Sequence, residues 1–247
     1  MHLSRIIFAM LPVLGGTVAP QSTPPVVLEL FTSEGCSSCP PADRVLADFA
    51  AQGSAAGVPV IALSEHVDYW NSLGWRDPFS QAAFSRRQQH YARRFRLESV
   101  YTPQLVVDGA LESTANDGRR VSDAIAAAAR GPRTAVSLRL SSSGSGFSVH
   151  VEASTAAPSD VLAALVTDST ISQVSRGENA GRRLVHANVV RELITVGHCR
   201  RHGCEVDFTL DAANPAVRAA DSLVIVVQES GQGRITGAAA ARLHSPS

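Results

Sequence analysis

Two cysteines with two residues between them, Cys36-Ser37-Ser38-Cys39, follow the apolar run Val26-Val27-Leu28-Glu29-Leu30-Phe31 and precede a helix-like segment from Pro40 to about Gln52. A strand that delivers a C-x-x-C pair to the start of a helix is the setting of a redox dithiol. The same pair is also half of a zinc site, but no second C-x-x-C is present to complete four thiolates. At a helix N-terminus the unpaired N–H groups and the positive end of the dipole favour a thiolate over a thiol, which makes Cys36 the expected nucleophile. Pro40 and Pro41 stand in the first turn, where a missing N–H matters least. Cys39, one turn further in and less exposed, would resolve a mixed disulfide on Cys36. This scheme requires Cys36 to be open to water.

Formal charge is zero and the pI near neutral, so nothing global draws the chain to nucleic acid or to an anionic membrane surface. The partners expected instead are protein or small-molecule thiols and disulfides, with no cofactor and no metal assigned. Every basic residue other than histidine is Arg, which excludes a catalytic or Schiff-base lysine. Arg5 and the apolar run from Ile6 to Val18 suit a secretory signal over residues 1–19, too short to span a bilayer comfortably. The expected location is periplasmic or secreted, with no stable membrane insertion after cleavage.

Val58 to Leu63 reads as a second buried strand, followed by a helix carrying Phe84, Tyr91 and Phe95, and Gln104 to Val107 as a third strand ending at the hairpin signal Asp108-Gly109. A short strand near Ala110 to Ser113 and a helix from Asp117 to Arg130 complete the order β-α-β-α-β-β-α over residues 24–132. Beyond Pro132 the pattern changes to short alternating strands near 136–140, 147–151, 161–166, 184–196, 206–210, 223–227 and 235, which predicts an all-β antiparallel sandwich over residues 133–247.

Thr102-Pro103 stands just before the third strand, well downstream of the dithiol. Strand, C-x-x-C, helix and a later Thr-Pro together resemble the thioredoxin superfamily. The resemblance implies a mixed α/β thioredoxin-like domain in which Pro103 is cis and, with Thr102, packs against the dithiol. A trans proline that starts an edge strand is the alternative. More closely, Glu29-Leu30-Phe31-Thr32-Ser33-Glu34-Gly35-Cys36-Ser37-Ser38-Cys39-Pro40-Pro41-Ala42-Asp43, with His66-Val67-Asp68-Tyr69-Trp70 and Gly74-Trp75-Arg76-Asp77-Pro78-Phe79, is similar to the secreted bacterial thioredoxin-like family known as domain of unknown function 1223. Gly177 to Gly181 and His186 to Arg191 extend the resemblance, which implies an added β domain and no established substrate.

Departures from ordinary thioredoxins bear on proton handling. Gly35 replaces an aromatic residue, and Leu30 stands where a buried acid is expected, with Glu29 on the other face. Glu34 is an accessory candidate, although a solvated loop carboxylate is its simpler role. His66, Asp68 and Trp70 are the others, placed where the second strand ends. Glu178, Asn179 and Gly181 read as a tight turn and His186, Asn188 and Arg191 as part of the next strand, a hydrogen-bonded loop and strand at the domain interface; the even spacing of His186 and Asn188 puts those two on one strand face, from which they can reach the dithiol. Arg86, Arg87, Arg93, Arg94 and Arg96 read as the solvated side of the second helix.

Cys199 and Cys204 flank a tight loop that a structural disulfide would close. A relay with Cys36 and Cys39 and a metal site with His198 and His202 are the alternatives. Two functions from different classes follow: an exported thiol-disulfide oxidoreductase, or a non-catalytic module that holds a metal ion or a protein on the same frame.

Overall fold

The computed structural model describes residues 16–18 and 23–243, so most of the proposed leader, residues 1–19, lies outside the described residues. The elements run β1 Gly16–Val18, β2 Val26–Thr32, α1 Cys39–Gln52, β3 Ser54–Ala55, β4 Val58–His66, α2 Ala82–Phe95, β5 Gln104–Val107, β6 Leu111–Ser113 and α3 Gly118–Ala129. They continue as β7 Val136–Ser143, β8 Gly146–Ala153, β9 Ser159–Gln173, β10 Arg183–Cys199, β11 Cys204–Asp211, α4 Pro215–Ala219, β12 Ser222–Glu229 and β13 Ile235–Arg242. This is a mixed α/β molecule with one large mixed sheet and a second, antiparallel sheet.

The large sheet has the order β13-β12-β9-β10-β4-β2-β5-β6, and the second sheet β1-β7-β8-β11. Within the large sheet β2 and β4 are parallel, as are β4 and β10, which meet at Val189 opposite Ser64. That junction joins the two halves of the chain into one continuous sheet, and no local sequence signal marks it.

Alternation along β2 sorts the core. Val26, Leu28 and Leu30 pack on Leu46 and Phe49 of α1 and on Val121 and Ile125 of α3, while Val27 and Phe31 face α2 through Phe84 and Tyr91. A further cluster fills the space between the sheets, built from Leu138, Val149 and Val206 on one side and Leu165, Leu223 and Ile225 on the other. Each such fully buried aliphatic side chain contributes ~1.5–3 kcal/mol.

Asp108 and Gly109 both have positive φ, 48° and 61°, at the centre of the turn that Ala110 N–H closes on the Val107 carbonyl at 3.0 Å. A Cβ at Gly109 would stand 2.4 Å from the Gly233 carbonyl oxygen. Gly109→Ala is therefore expected to lower stability by at least ~1–3 kcal/mol, the usual cost of a non-glycine residue in that region, read as a lower urea midpoint.

Candidate functional site

Cys36 and Cys39 are joined as a disulfide at the start of α1, whose N-cap is Ser38 and whose first residue is Cys39. The loop is built by local geometry: Cys36 N–H donates to the Ser33 carbonyl at 3.1 Å, and Cys39 N–H to that of Cys36 at 3.3 Å. The Thr102–Pro103 peptide bond is cis. It lies against the dithiol, since Ser38 Oγ stands 3.4 Å from Cys36 Sγ and 3.5 Å from the Thr102 carbonyl oxygen.

Trp70 closes one side. Its indole N–H donates to Thr102 Oγ1 at 2.9 Å, and a Cβ at Gly35 would stand 3.0 Å from Trp70 Cβ, so glycine here admits the tryptophan over the loop. The second half of the chain closes the other side. Asn179, fully buried on the turn between β9 and β10, donates from Nδ2 to the carbonyls of both Glu34 and Cys36 at 2.9 Å, and the Glu178 carboxylate accepts from Ser37 N–H at 3.1 Å. The Ser37 hydroxyl and then its N–H hold the Glu178 carboxyl below its ordinary value.

The expectation that Cys36 is the exposed sulfur is therefore corrected. Both cysteines are 0% exposed, and only Ser37 and Ser38 of the motif reach the surface. Ser38 Oγ lies against the Cys36 sulfur, and Trp70 and the Asn179 turn pack on the loop backbone around it; neither the tryptophan nor the turn can be deduced from the C-x-x-C spacing.

Beneath the dithiol lies a buried polar network. Glu34, expected to be solvated, is instead 0% exposed: Trp75 Nε1 donates to Oε2 at 2.7 Å and His186 Nε2 to Oε1 at 3.2 Å. The other nitrogen of His186, Nδ1, has no hydrogen-bond partner and stands 3.8 Å from Asp43 Oδ2. Asp43 accepts from Thr32 Oγ1 at 2.7 Å. Burial pushes its carboxyl above the usual range against the pull of His186 and Thr32. Asp43 lies four residues beyond Cys39 on α1, so the two share a helix face.

His66 is also fully buried, and its Nδ1 donates to Asp77 Oδ2 at 2.7 Å. Burial alone would lower its pKa; the charge and hydrogen bond of Asp77, with Asp43 and Glu34 behind it, win and raise it. Conversely burial would raise Asp77, but His66 and the N–H groups of Glu34 and Phe79 hold it low. The His66 and His186 rings meet edge to face with centroids 4.7 Å apart.

A family model described as "Protein of unknown function (DUF1223)" matches residues 27–228. The chain belongs to the DUF1223 family. No curated protein matches it. Among solved structures, protein AGR_C_4864 from Agrobacterium tumefaciens is 28% identical with a TM-score of 0.76, covering 92% of this chain and 98% of its own. HBP35 of Porphyromonas gingivalis is 15% identical with a TM-score of 0.63, covering 91% and 76%, which speaks for the fold alone.

This DUF1223 chain thus brings Cys36, Cys39, Thr102, Pro103, Trp70 and Glu34 to one place. His66 joins them in the layer beneath through Asp77, which also accepts from Glu34 N–H at 2.8 Å. Asp68 does not join: its main chain and carboxylate are bonded to Ser85 on α2. Asp43, Asp77 and Asn179 are site residues to which sequence reasoning assigned no chemistry. The signal for Asp43 was its i+4 spacing from Cys39; Asp77 and Asn179 carried none beyond their place in the family motifs.

Cys199 and Cys204 are joined as a disulfide where β10 ends and β11 begins. His186 and Cys199 are at opposite ends of β10, roughly 40 Å apart at ~3.3 Å per residue. A direct relay between the two pairs is thereby ruled out in this conformation. His198 Nδ1 is instead bonded to Asp160 at 2.8 Å. Among the described residues no group of three or more His, Cys, Asp or Glu is placed to hold a metal ion, and no helix is long and apolar enough to cross a membrane.

Proposed function

We propose that this protein is an exported thiol-disulfide oxidoreductase: a thioredoxin-like unit over residues 24–132 carrying the Cys36–Cys39 couple, with a β-sandwich over 133–247 whose Cys199–Cys204 bond is structural. The single observation that carries this reading is the closure of Cys36 with Cys39, the first residue of α1, beside the Thr102 carbonyl. A thiolate of a partner dithiol attacks Cys36 Sγ, the Cys36–Cys39 bond breaks, and Cys39 leaves as a thiolate that takes up a proton. The second partner thiol gives its proton to solvent, attacks the mixed disulfide and expels Cys36. The partner is oxidised by two electrons to a disulfide, and the protein is reduced to the dithiol. With another partner's disulfide the same steps run in reverse.

Catalysis would draw on named groups. The positive end of the α1 dipole favours charge on Cys36; the Cys39 N–H is already given to the Cys36 carbonyl, and Pro40 and Pro41 have none to offer. Asp43, on the helix face of Cys39 and held toward its protonated form by burial, is suited to exchange a proton with a buried sulfur.

The test is to express Cys39→Ser in the exporting host and isolate whatever stays attached to Cys36. Covalent, reductant-released partners are expected, together with reversible titration of the wild-type Cys36–Cys39 bond against glutathione. A wild-type bond that cannot re-form after reduction would remove the reading.

A further inference from the structure

An oxidoreductase whose attacked sulfur is 0% exposed cannot begin its reaction in the conformation described. What encloses that sulfur identifies the part that moves. Trp70 belongs to the same half of the chain as the dithiol, and its indole is tied to Thr102. The other cover comes from outside that half, on the turn 174–182 that joins the two longest strands, β9 and β10.

That turn is a compact unit of its own. Gly181 N–H donates to the Val174 carbonyl at 2.8 Å and Val174 N–H to that of Arg182 at 3.0 Å, while Arg182 Nη1 donates to Asn179 Oδ1 at 2.7 Å. The Arg182 bond fixes the Asn179 amide with its NH2 group turned toward the dithiol loop. Gly177 and Gly181 have positive φ, 75° and 81°, as the reversal requires. Its named polar attachments to the dithiol loop come to three: two from Asn179, to the Glu34 and Cys36 carbonyls, and one accepted by Glu178 from Ser37 N–H. All three grip the backbone at and beside Cys36, and the Ser37 hydroxyl adds a further contact to the Glu178 carboxylate.

Resting on the oxidoreductase reading above, we propose that the 174–182 turn is a gate on the dithiol: Asn179 and Glu178 hold it shut over Cys36, and release of their three bonds precedes attack by a partner thiolate. The gate responds to the redox state. When exchange expels Cys36 as a thiolate, its negative charge develops next to the residue whose N–H the Glu178 carboxylate occupies. Both anions then compete for the positive end of α1, and their repulsion favours the open turn. The reduced protein therefore presents Cys36 more readily than the oxidised protein does, which suits a couple that must first be reached and then hand its electrons on.

The experiment uses the full oxidised chain, with dithiothreitol as the reductant and mass spectrometry of the alkylated Cys36/Cys39 peptide as the readout, so that Cys199–Cys204 is scored separately. In the gated scheme the reduction rate follows the fraction of open turn, and loss of two buried hydrogen bonds in Asn179→Ala is expected to raise it by about 10- to 100-fold. Glu178→Ala removes only the exposed contacts to Ser37 and is expected to raise it by roughly threefold to tenfold, with a correspondingly small fall in the urea midpoint. Because Glu178 is exposed, that variant keeps the test decisive should Asn179→Ala fold poorly. Rates within about twofold of wild type in the folded variants overturn the gate, since released bonds of this kind ordinarily change an opening equilibrium by more. The oxidoreductase reading survives that result if the wild-type bond re-forms reversibly. If that bond does not re-form, the oxidoreductase reading falls, and the first-reduction rates still decide whether the turn controls access.

Discussion

Arg87→Met is expected to destabilise the protein by ~3–5 kcal/mol, the usual result of removing one partner from a buried ionic cluster. Arg87 sits on α2 with its side chain 10% exposed, and Glu29 of β2 and Glu65 of β4 face it at 2% and 0%. Its Nε donates to Glu29 Oε1 at 2.6 Å, and Tyr91 OH donates to Glu29 Oε2 at 2.6 Å. Gln228 of β12 closes the ring by accepting from Arg87 at 3.0 Å and donating to Tyr91 OH at 2.8 Å. One cation thus serves two buried acids. Burial first, and the neighbouring Glu29 carboxylate second, raise Glu65 well above the ordinary carboxyl value.

Without Arg87 that arrangement is left with acids alone. Equilibrium urea unfolding should show a lower midpoint at an unchanged m-value. Arg87→Met combined with Glu29→Gln should recover much of the loss, because the two positions are coupled rather than additive. A loss below ~1 kcal/mol in the single variant would mean that solvent reaches the cluster and that the packing of α2 on the sheet is looser than described. The raised pKa of Glu65 adds a sign: in the wild type its contribution is complete below the unfolded value and is lost as pH rises through the folded one.

The arginines of α2 show where sequence reasoning stops. Their clustering predicts a solvated face, and for most of them nothing contradicts that. Arg87 differs because Glu29 waits across the interface, and a pairing between residues so far apart in sequence leaves no periodic trace. The inward turn of Glu29 follows from alternation along β2; its partner does not.

Elements set by local chemistry were legible. The strand of Val26 to Phe31, the proline-marked start of α1, the Asp108-Gly109 turn and the β-rich second half all rest on periodicity or turn residues. The boundary was short for β9, because its distal half alternates polar and apolar residues with only moderate burial, whereas β10 differs from its expected range by one and three residues at its ends. The β4–β10 junction and the docking of Asn179 on the dithiol loop are tertiary events between distant segments, and they leave no local pattern in either segment. Sequence reasoning brought Cys36, Cys39 and Thr102-Pro103 together and missed what packs on them, since main-chain carbonyls that accept from Asn179 belong to any residue type.

Asp77→Ala should be the second severe substitution, again by ~3–5 kcal/mol, and with a distinctive pH dependence. The carboxylate accepts from His66 Nδ1 at 2.7 Å, from Glu34 N–H at 2.8 Å and, through its other oxygen, from Phe79 N–H at 2.9 Å. Alanine leaves all three donors without that acceptor in a region where Glu34, His66 and Asp77 are at most 2% exposed. The signs of the two shifts define the window. His66 is raised, so its contribution is complete below the unfolded value of 6.5 and is lost as pH climbs through the folded one. Asp77 is lowered, so its contribution is complete above 3.8 and is lost as pH falls through the folded value. The stability gap between wild type and Asp77→Ala should therefore be widest between those limits and narrow above the folded value of His66, where the neutral ring keeps a hydrogen bond but no ion pair. Urea midpoints for both proteins, taken from about pH 5 to about pH 9, measure the gap directly. A gap that stays constant across that range would show that His66 gives up no charge there and that Asp77 acts only as a hydrogen-bond acceptor for the backbone beneath the dithiol.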